Sequence, residues 1–314
     1  MSTEVWPPIS APQLAIEEDA TLARELQWLL ESLQSTLQSL KSGLEECAAL
    51  LAPVEPGSTL VLSSHRSENV KGTVTRVGTR VVKGNVQLRL QTLPPPRGAP
   101  AFPLVVSSAP QAPTLVLDQI VSVRTLINSC LDIVDVSTWT GDAKNADFIS
   151  GQLRLLEENI REAKGTLKGG PDIPNPWWED PLDENIFDPP LPHYLSVNVA
   201  VAEAALVVTI RTLSASSPQP STPETHQSTF VPNFGLRDRL AVALGATRPP
   251  THDEIDQTFT FRGEQVSVKE KVRVESQDPS LMAALAKLSS LERVVKMSRQ
   301  ALAIVMGRDT SDDD

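Results

Sequence analysis

Between residues 17 and 51, Leu26, Leu30, Leu33, Leu37, Leu40, Leu44, Cys47 and Leu51 follow one another at alternating spacings of four and three. On a helix that spacing places every one of these side chains on a single narrow stripe. Glu17, Glu18 and Asp19 stand where carboxylates favour the positive end of the helix dipole, and Pro53 and Pro56 stop the helix. Leucine at every seventh position (Leu30, Leu37, Leu44, Leu51) also fits a leucine zipper by pattern. A two-stranded zipper usually carries charges beside its seam, whereas the flanking positions here include Gln27, Gln34, Thr36 and Gly43. Packing inside the chain's own helical bundle is therefore the preferred reading.

Three more segments repeat the spacing. Val116, Ile120, Val123, Ile127, Cys130 and Val134 form one stripe. Ile149, Leu153, Leu156, Ile160, Ala163 and Leu167 form another, closed by Gly169 and Gly170. The last runs through Leu281, Leu285, Leu288, Leu291, Val295, Leu302 and Val305, after Pro279. Four narrow stripes can satisfy one another by closing into a bundle, which brings the two ends of the chain together. The regions between read as strands. Residues 70–77 and 85–91 are rich in β-branched side chains, with Gly78 and Gly84 available to the turn region. Residues 195–201 alternate and 206–213 can return antiparallel; a buried helix is the competing reading there, and the hairpin is preferred. Residues 257–261 and 266–274 make a third hairpin, turning near Gly263.

The expected fold class is α+β: an antiparallel helical bundle (14–52, 114–168, 279–307) with a separate small antiparallel β domain (58–92, 193–275). Pro-rich linkers or loops are expected at 93–113, 169–192 and 214–232, a short helix at 236–244, and an acidic disordered tail at 308–314.

Composition narrows the function. With 40% hydrophobic but only 4% aromatic residues, the core must rest on Leu, Val, Ala and Ile. A formal charge of −11 argues against nucleic acid as a partner. No apolar run reaches the length of a membrane span, and no signal peptide is visible. The two cysteines and the absence of Asn-x-Ser/Thr acceptors fit a reducing, cytoplasmic setting. Nucleophile-elbow, phosphate-loop and dinucleotide fingerprints are missing. Cys47 and Cys130 lie on apolar stripes, where inert buried thiols are expected. His65, His193, His226 and His252 lack metal-ligand spacing, and the carboxylates of the Asp180 region sit in a Pro-rich stretch rather than a cleft. The expectation is a non-enzymatic protein with no cofactor and no metal.

Charge is distributed unevenly. From residue 66 to 97 there are seven cations (Arg66, Lys71, Arg76, Arg80, Lys83, Arg89, Arg97) against one acid, Glu68. Lys269, Lys271 and Arg273 alternate on a predicted strand and so are expected on one sheet face. Residues 171–192 carry six acids and no Lys or Arg. A solvated outer face is the simplest reading of the cations. The alternative is a docking surface built from Lys71, Arg76, Arg89, Lys269, Lys271 and Arg273 for an acidic partner or an anionic membrane surface. Trp177 and Trp178 are expected to anchor the acidic stretch to its own core, the alternative being an exposed hot spot for a partner.

The run Phe187, Pro189, Leu191, Pro192, Leu195, Val197, Asn198 resembles the central motif of the Rogdi family. Glu25-Leu26-Gln27-Trp28-Leu29-Leu30 resembles the opening of that family's first helix, and Val70-Lys71-Gly72 with Asn85-Val86-Gln87-Leu88 its first hairpin. The acidic Trp-rich insert and the Ser/Thr/Pro loop depart from the family pattern. The resemblance implies a helical bundle joined to an antiparallel β domain and a non-enzymatic role. The family includes the smaller accessory subunit of the fungal RAVE complex, which acts with a large WD-repeat-containing partner. Together they promote reassembly of the V-ATPase peripheral sector onto its membrane sector. The resemblance further implies a monomer within a hetero-complex, recruited peripherally to vacuolar or endosomal membranes.

Overall fold

The structure, a computed structural model, describes residues 9–139, 144–169, 176–215, 252–255 and 257–308. Among the described residues, four long helices and two antiparallel sheets make an α+β fold. The helices are α1 (Ala11–Leu50), α2 (Asp118–Trp139), α3 (Ala146–Lys168) and α4 (Pro279–Val305). The strands are β1 (Ser58–Ser63), β2 (Val70–Val77), β3 (Arg80–Leu88), β4 (Phe102–Val105), β5 (Leu115–Val116), β6 (Leu195–Ala202), β7 (Ala205–Ala215), β8 (Thr258–Phe261) and β9 (Glu264–Gln277).

The first helix starts six residues before the acids that were expected to open it. Pro12 stands in its first turn, where a fixed φ and a missing N–H do no harm. Its stripe is buried from Leu30 onward, while Leu14, Ile16, Leu22 and Trp28 remain exposed. Each buried leucine contributes about 2 kcal/mol. α1 and α4 run antiparallel, with Glu46 paired to Lys287 and Gly43 facing Leu291. A Cβ on Gly43 would stand 2.6 Å from the Leu291 side chain, so the glycine permits the close approach of the two helices. α3 and α4 are joined by Lys164 to Glu292 and by the buried Glu157, which lies 2.7 Å from Arg161 and 3.3 Å from Arg299. The first and last helices are neighbours in one bundle.

The three expected hairpins form, and 195–213 is a hairpin rather than a helix. They do not share one sheet. β2 and β3 belong to a sheet ordered β1-β2-β3-β4, with β5 also on β3, whereas the other two hairpins make β6-β7-β9-β8. The inner faces of the two sheets meet across an apolar gap of about 20 Å³, lined among others by Val74, Val86, Leu104, Val197 and Val208. β4 lies inside the stretch read as a Pro-rich linker: Phe102 and Leu104 are buried, and pairing to β3 overrides the local composition. Nearly all of the expected 214–232 loop, the expected 236–244 helix and residues 309–314 of the tail lie outside the described residues.

Helices and sheets share one continuous set of buried hydrophobic residues. Among the described residues, three polar joints connect them. The C-terminal carbonyls of α3, on Leu167 and Lys168, accept hydrogen bonds from the N–H groups of Ala204 and Glu203 at the β6–β7 turn (2.9 and 2.8 Å). Both turn residues have positive φ (55° and 48°), which that docking helps to hold. Gln119 of α2 bonds both backbone groups of Val201, at 2.9 and 2.6 Å. At the third joint, Asp278 caps α4 through the N–H groups of Ser280 and Leu281 while its other oxygen accepts from Arg76 of β2 at 2.5 Å.

Candidate partner-binding surface

The candidate cations separate into three environments. Arg76 is not on an exposed face: it is 2% exposed, bound to Asp278 and to the Gly78 carbonyl. It is in phase with the buried Val70 and Val74 on β2, on the face opposite Lys71, and so meets the joint with α4. Lys71 and Arg89 do lie outward. Lys71 faces Gln87 across the β2–β3 ladder, and Arg89 follows the end of β3, its N–H donating to the Asn69 carbonyl at 2.7 Å. With Arg66 and Glu68 from the turn before β2, and with Thr73, Asn85 and Gln87, they line a groove of about 570 Å³.

Lys269, Lys271 and Arg273 keep the outward phase of β9 between buried neighbours, but they are not equally available. The β7–β9 register passes from Thr212 against Glu270 to Leu213 against Val268, leaving Lys269 as the unpaired residue of a bulge. Lys271 is not free for a partner, because its ammonium lies 2.8 Å from Asp253 and 2.7 Å from Glu254. Arg273 is exposed, with Glu275 at 4.0 Å. Glu254 is also gripped by Arg211 through two hydrogen bonds of 2.7 and 2.9 Å. Burial pushes the Glu254 carboxyl up, but the bonds from Arg211 and Lys271 outweigh it and hold it below the usual glutamate range. The Lys271 hydrogen bond likewise lowers Asp253.

Trp177 is an anchor. It is 6% exposed, packs on Phe259 and Phe261 at ring distances of 5.0 and 5.6 Å, and carries the Arg211 guanidinium over its ring at 4.7 Å. Trp178 packs beside it on Phe259. Nearby acids also have local roles: Asp183 caps the turn at Asn185, and Glu184 pairs with Arg262 at 2.7 Å. The cysteines are buried, and burial pushes their thiols up to about 11 for Cys47 and about 12 for Cys130. His252 accepts the Glu254 N–H through Nδ1. Among the described residues no three His, Cys, Asp or Glu side chains are grouped to hold a metal ion.

Phe187, Leu191, Leu195 and Val197 of the central motif are all buried. The backbone there extends the β4 edge, with Ser107 N–H donating to the Ile186 carbonyl and Asp188 N–H to the Val105 carbonyl. The motif is thus a structural strap between the two sheets. The family model described as Rogdi leucine zipper containing protein matches residues 25–303. The chain belongs to the Rogdi family. Comparison with the curated proteins returned no match. Within the matched span, the heptad leucines Leu30, Leu37, Leu44 and Leu51 pack inside this chain's own core. Trp28, by contrast, points away from the stripe and is 69% exposed. Its helical phase, roughly 200° from Leu26, is the signal that marks it as outward. The pairing of Arg211 with Glu254 had no local signature, since 43 residues separate the two.

Proposed function

We propose that this protein is a non-enzymatic subunit of a RAVE-like complex. In that role it binds a large WD-repeat-containing subunit and promotes reassembly of the V-ATPase peripheral sector onto its membrane sector, supporting vacuolar acidification. The observation that carries this reading is membership of the Rogdi family across residues 25–303. Of the candidate residues, Lys71, Arg89, Lys269 and Arg273 remain exposed. Its mechanism is binding energy, holding partners in an assembly-competent geometry and raising their effective concentration. No helix of the described residues is long and apolar enough to cross a membrane, so recruitment to vacuolar or endosomal membranes would go through those partners.

A self-associating coiled-coil adaptor is the rival reading. The burial of Leu30, Leu37, Leu44 and Leu51 within one chain removes the seam that such pairing would use. Molar mass in solution should accordingly be that of a monomer. The functional test is to fractionate cells lacking the protein and measure membrane-bound peripheral sector. Reduced assembly with V-ATPase subunit amounts nearly unchanged is expected; normal levels of assembled, active pump would sink the proposal.

A further inference from the structure

The groove on the outer face of β2 and β3 gathers cations and polar side chains in one concave lining. Its cations Arg66, Lys71 and Arg89 have no ion-pair partner among the described residues, while Lys271 and Arg262 are matched by carboxylates of this chain. It is concave and polar, with Thr73, Asn85 and Gln87 supplying hydroxyl and amide groups between the cations; of the described residues, Glu68 is the one carboxylate in its lining, against the three cations. Arg66, although exposed, has φ 57°, a conformation that side chains other than glycine rarely adopt. The turn is held from within: Ser64 Oγ accepts the N–H groups of Asn69 and Val70, each at 3.0 Å. That turn fixes where the Arg66 side chain leaves the backbone, beside Lys71 and Arg89 in the groove lining.

We infer that this groove docks an extended acidic segment of a partner protein, its carboxylates meeting Arg66, Lys71 and Arg89. The inference rests on the binding role proposed above but not on the identity of the pump. Charge decides the occupant. A second copy carries −11 overall, and two-fold pairing through this face would set cation against cation. The same net charge opposes an anionic membrane, and the lining offers no large apolar side chain to enter lipid.

The test uses the full-length protein and a fluorescein-labelled peptide alternating Glu with Ser, read by anisotropy at low and high salt. The matching Gln peptide, inorganic phosphate, and vesicles of phosphatidylserine and phosphatidylcholine are competitors. Reversal of the groove (Arg66→Glu, Lys71→Glu, Arg89→Glu) should weaken the Glu peptide about tenfold or more, and high salt should weaken it in the parent. Reversal of Arg80 and Lys83, on the same strand outside the groove lining, should change it by less than about twofold. The milder pair Lys71→Gln and Arg89→Gln should weaken it measurably, with thermal melting as the folding control. Equal losses in both reversals, unchanged binding in the neutralised pair, preference for vesicles, or no binding of the Glu peptide to the parent would each overturn the proposal. Because purified protein suffices, these outcomes are independent of whether pump assembly depends on the protein.

Discussion

Removing the Asp278 carboxylate should be among the most damaging single changes in this chain. Asp278 is fully buried and does two jobs: one oxygen caps α4, and the other neutralises Arg76, itself 2% exposed. Asp278→Ala removes the cap, at about 1 kcal/mol. It also leaves a guanidinium buried without its counter-charge, at about 3–5 kcal/mol. The total, about 4–6 kcal/mol, is comparable to the whole stability of an ordinary domain at the low end of its range. Asp278→Asn keeps an acceptor for the cap and should be milder. Arg76→Met removes the stranded cation, so Arg76→Met combined with Asp278→Ala should lose well under the sum of the two single changes. Urea unfolding followed by circular dichroism measures all of these, with an unchanged slope confirming that native and unfolded states remain comparable. If Asp278→Ala falls within about 0.5 kcal/mol of the parent, or the two changes are additive, the joint is not coupled as argued.

Cys47 and Cys130, with thiols pushed up to about 11 and about 12, should resist iodoacetamide at neutral pH and react only after unfolding; stoichiometric labelling of native protein would contradict their burial. Glu254 has a lowered pKa, so its contribution to stability is fully present above the ordinary glutamate value of 4.5 and is lost as pH falls through its lower folded value. Glu254→Gln should therefore destabilise at neutral pH and flatten the acid limb of a stability–pH profile; parallel profiles would refute this. Leu37→Asp should destabilise the bundle by several kcal/mol, roughly 3–5, measured by thermal melting, because it buries an unpaired charge beside α1's neighbours; a parental melt would refute the shared core. Gly43→Leu should likewise force α1 and α4 apart at Leu291, losing about 1–3 kcal/mol, and a neutral outcome in the same melt would show that the contact can relax.

Periodicity made the four helices and three hairpins legible, because burying one face of a helix or a strand leaves a spacing that survives in a single sequence. The stripe from Leu30 to Leu51 is of this kind, and so is the alternation of 195–201. Residue chemistry also placed Trp177 and both cysteines in the core. What periodicity does not carry is the partner of each face. The division of hairpins between two sheets, the insertion of β4 into Pro-rich chain and the strap at Phe187 depend on pairings between segments distant in sequence. Arg76 shows the consequence for a site. By charge it belongs with Lys71 and Arg89, yet it stands in phase with Val70 and Val74 on the inward face of β2, where a carboxylate 202 residues away makes it a buried joint. Lys271 was removed from the candidate face in the same way, by Asp253 and Glu254 arriving from another segment. A cation's neighbours decide whether it is structural or available, and only the folded chain brings those neighbours within Coulombic reach.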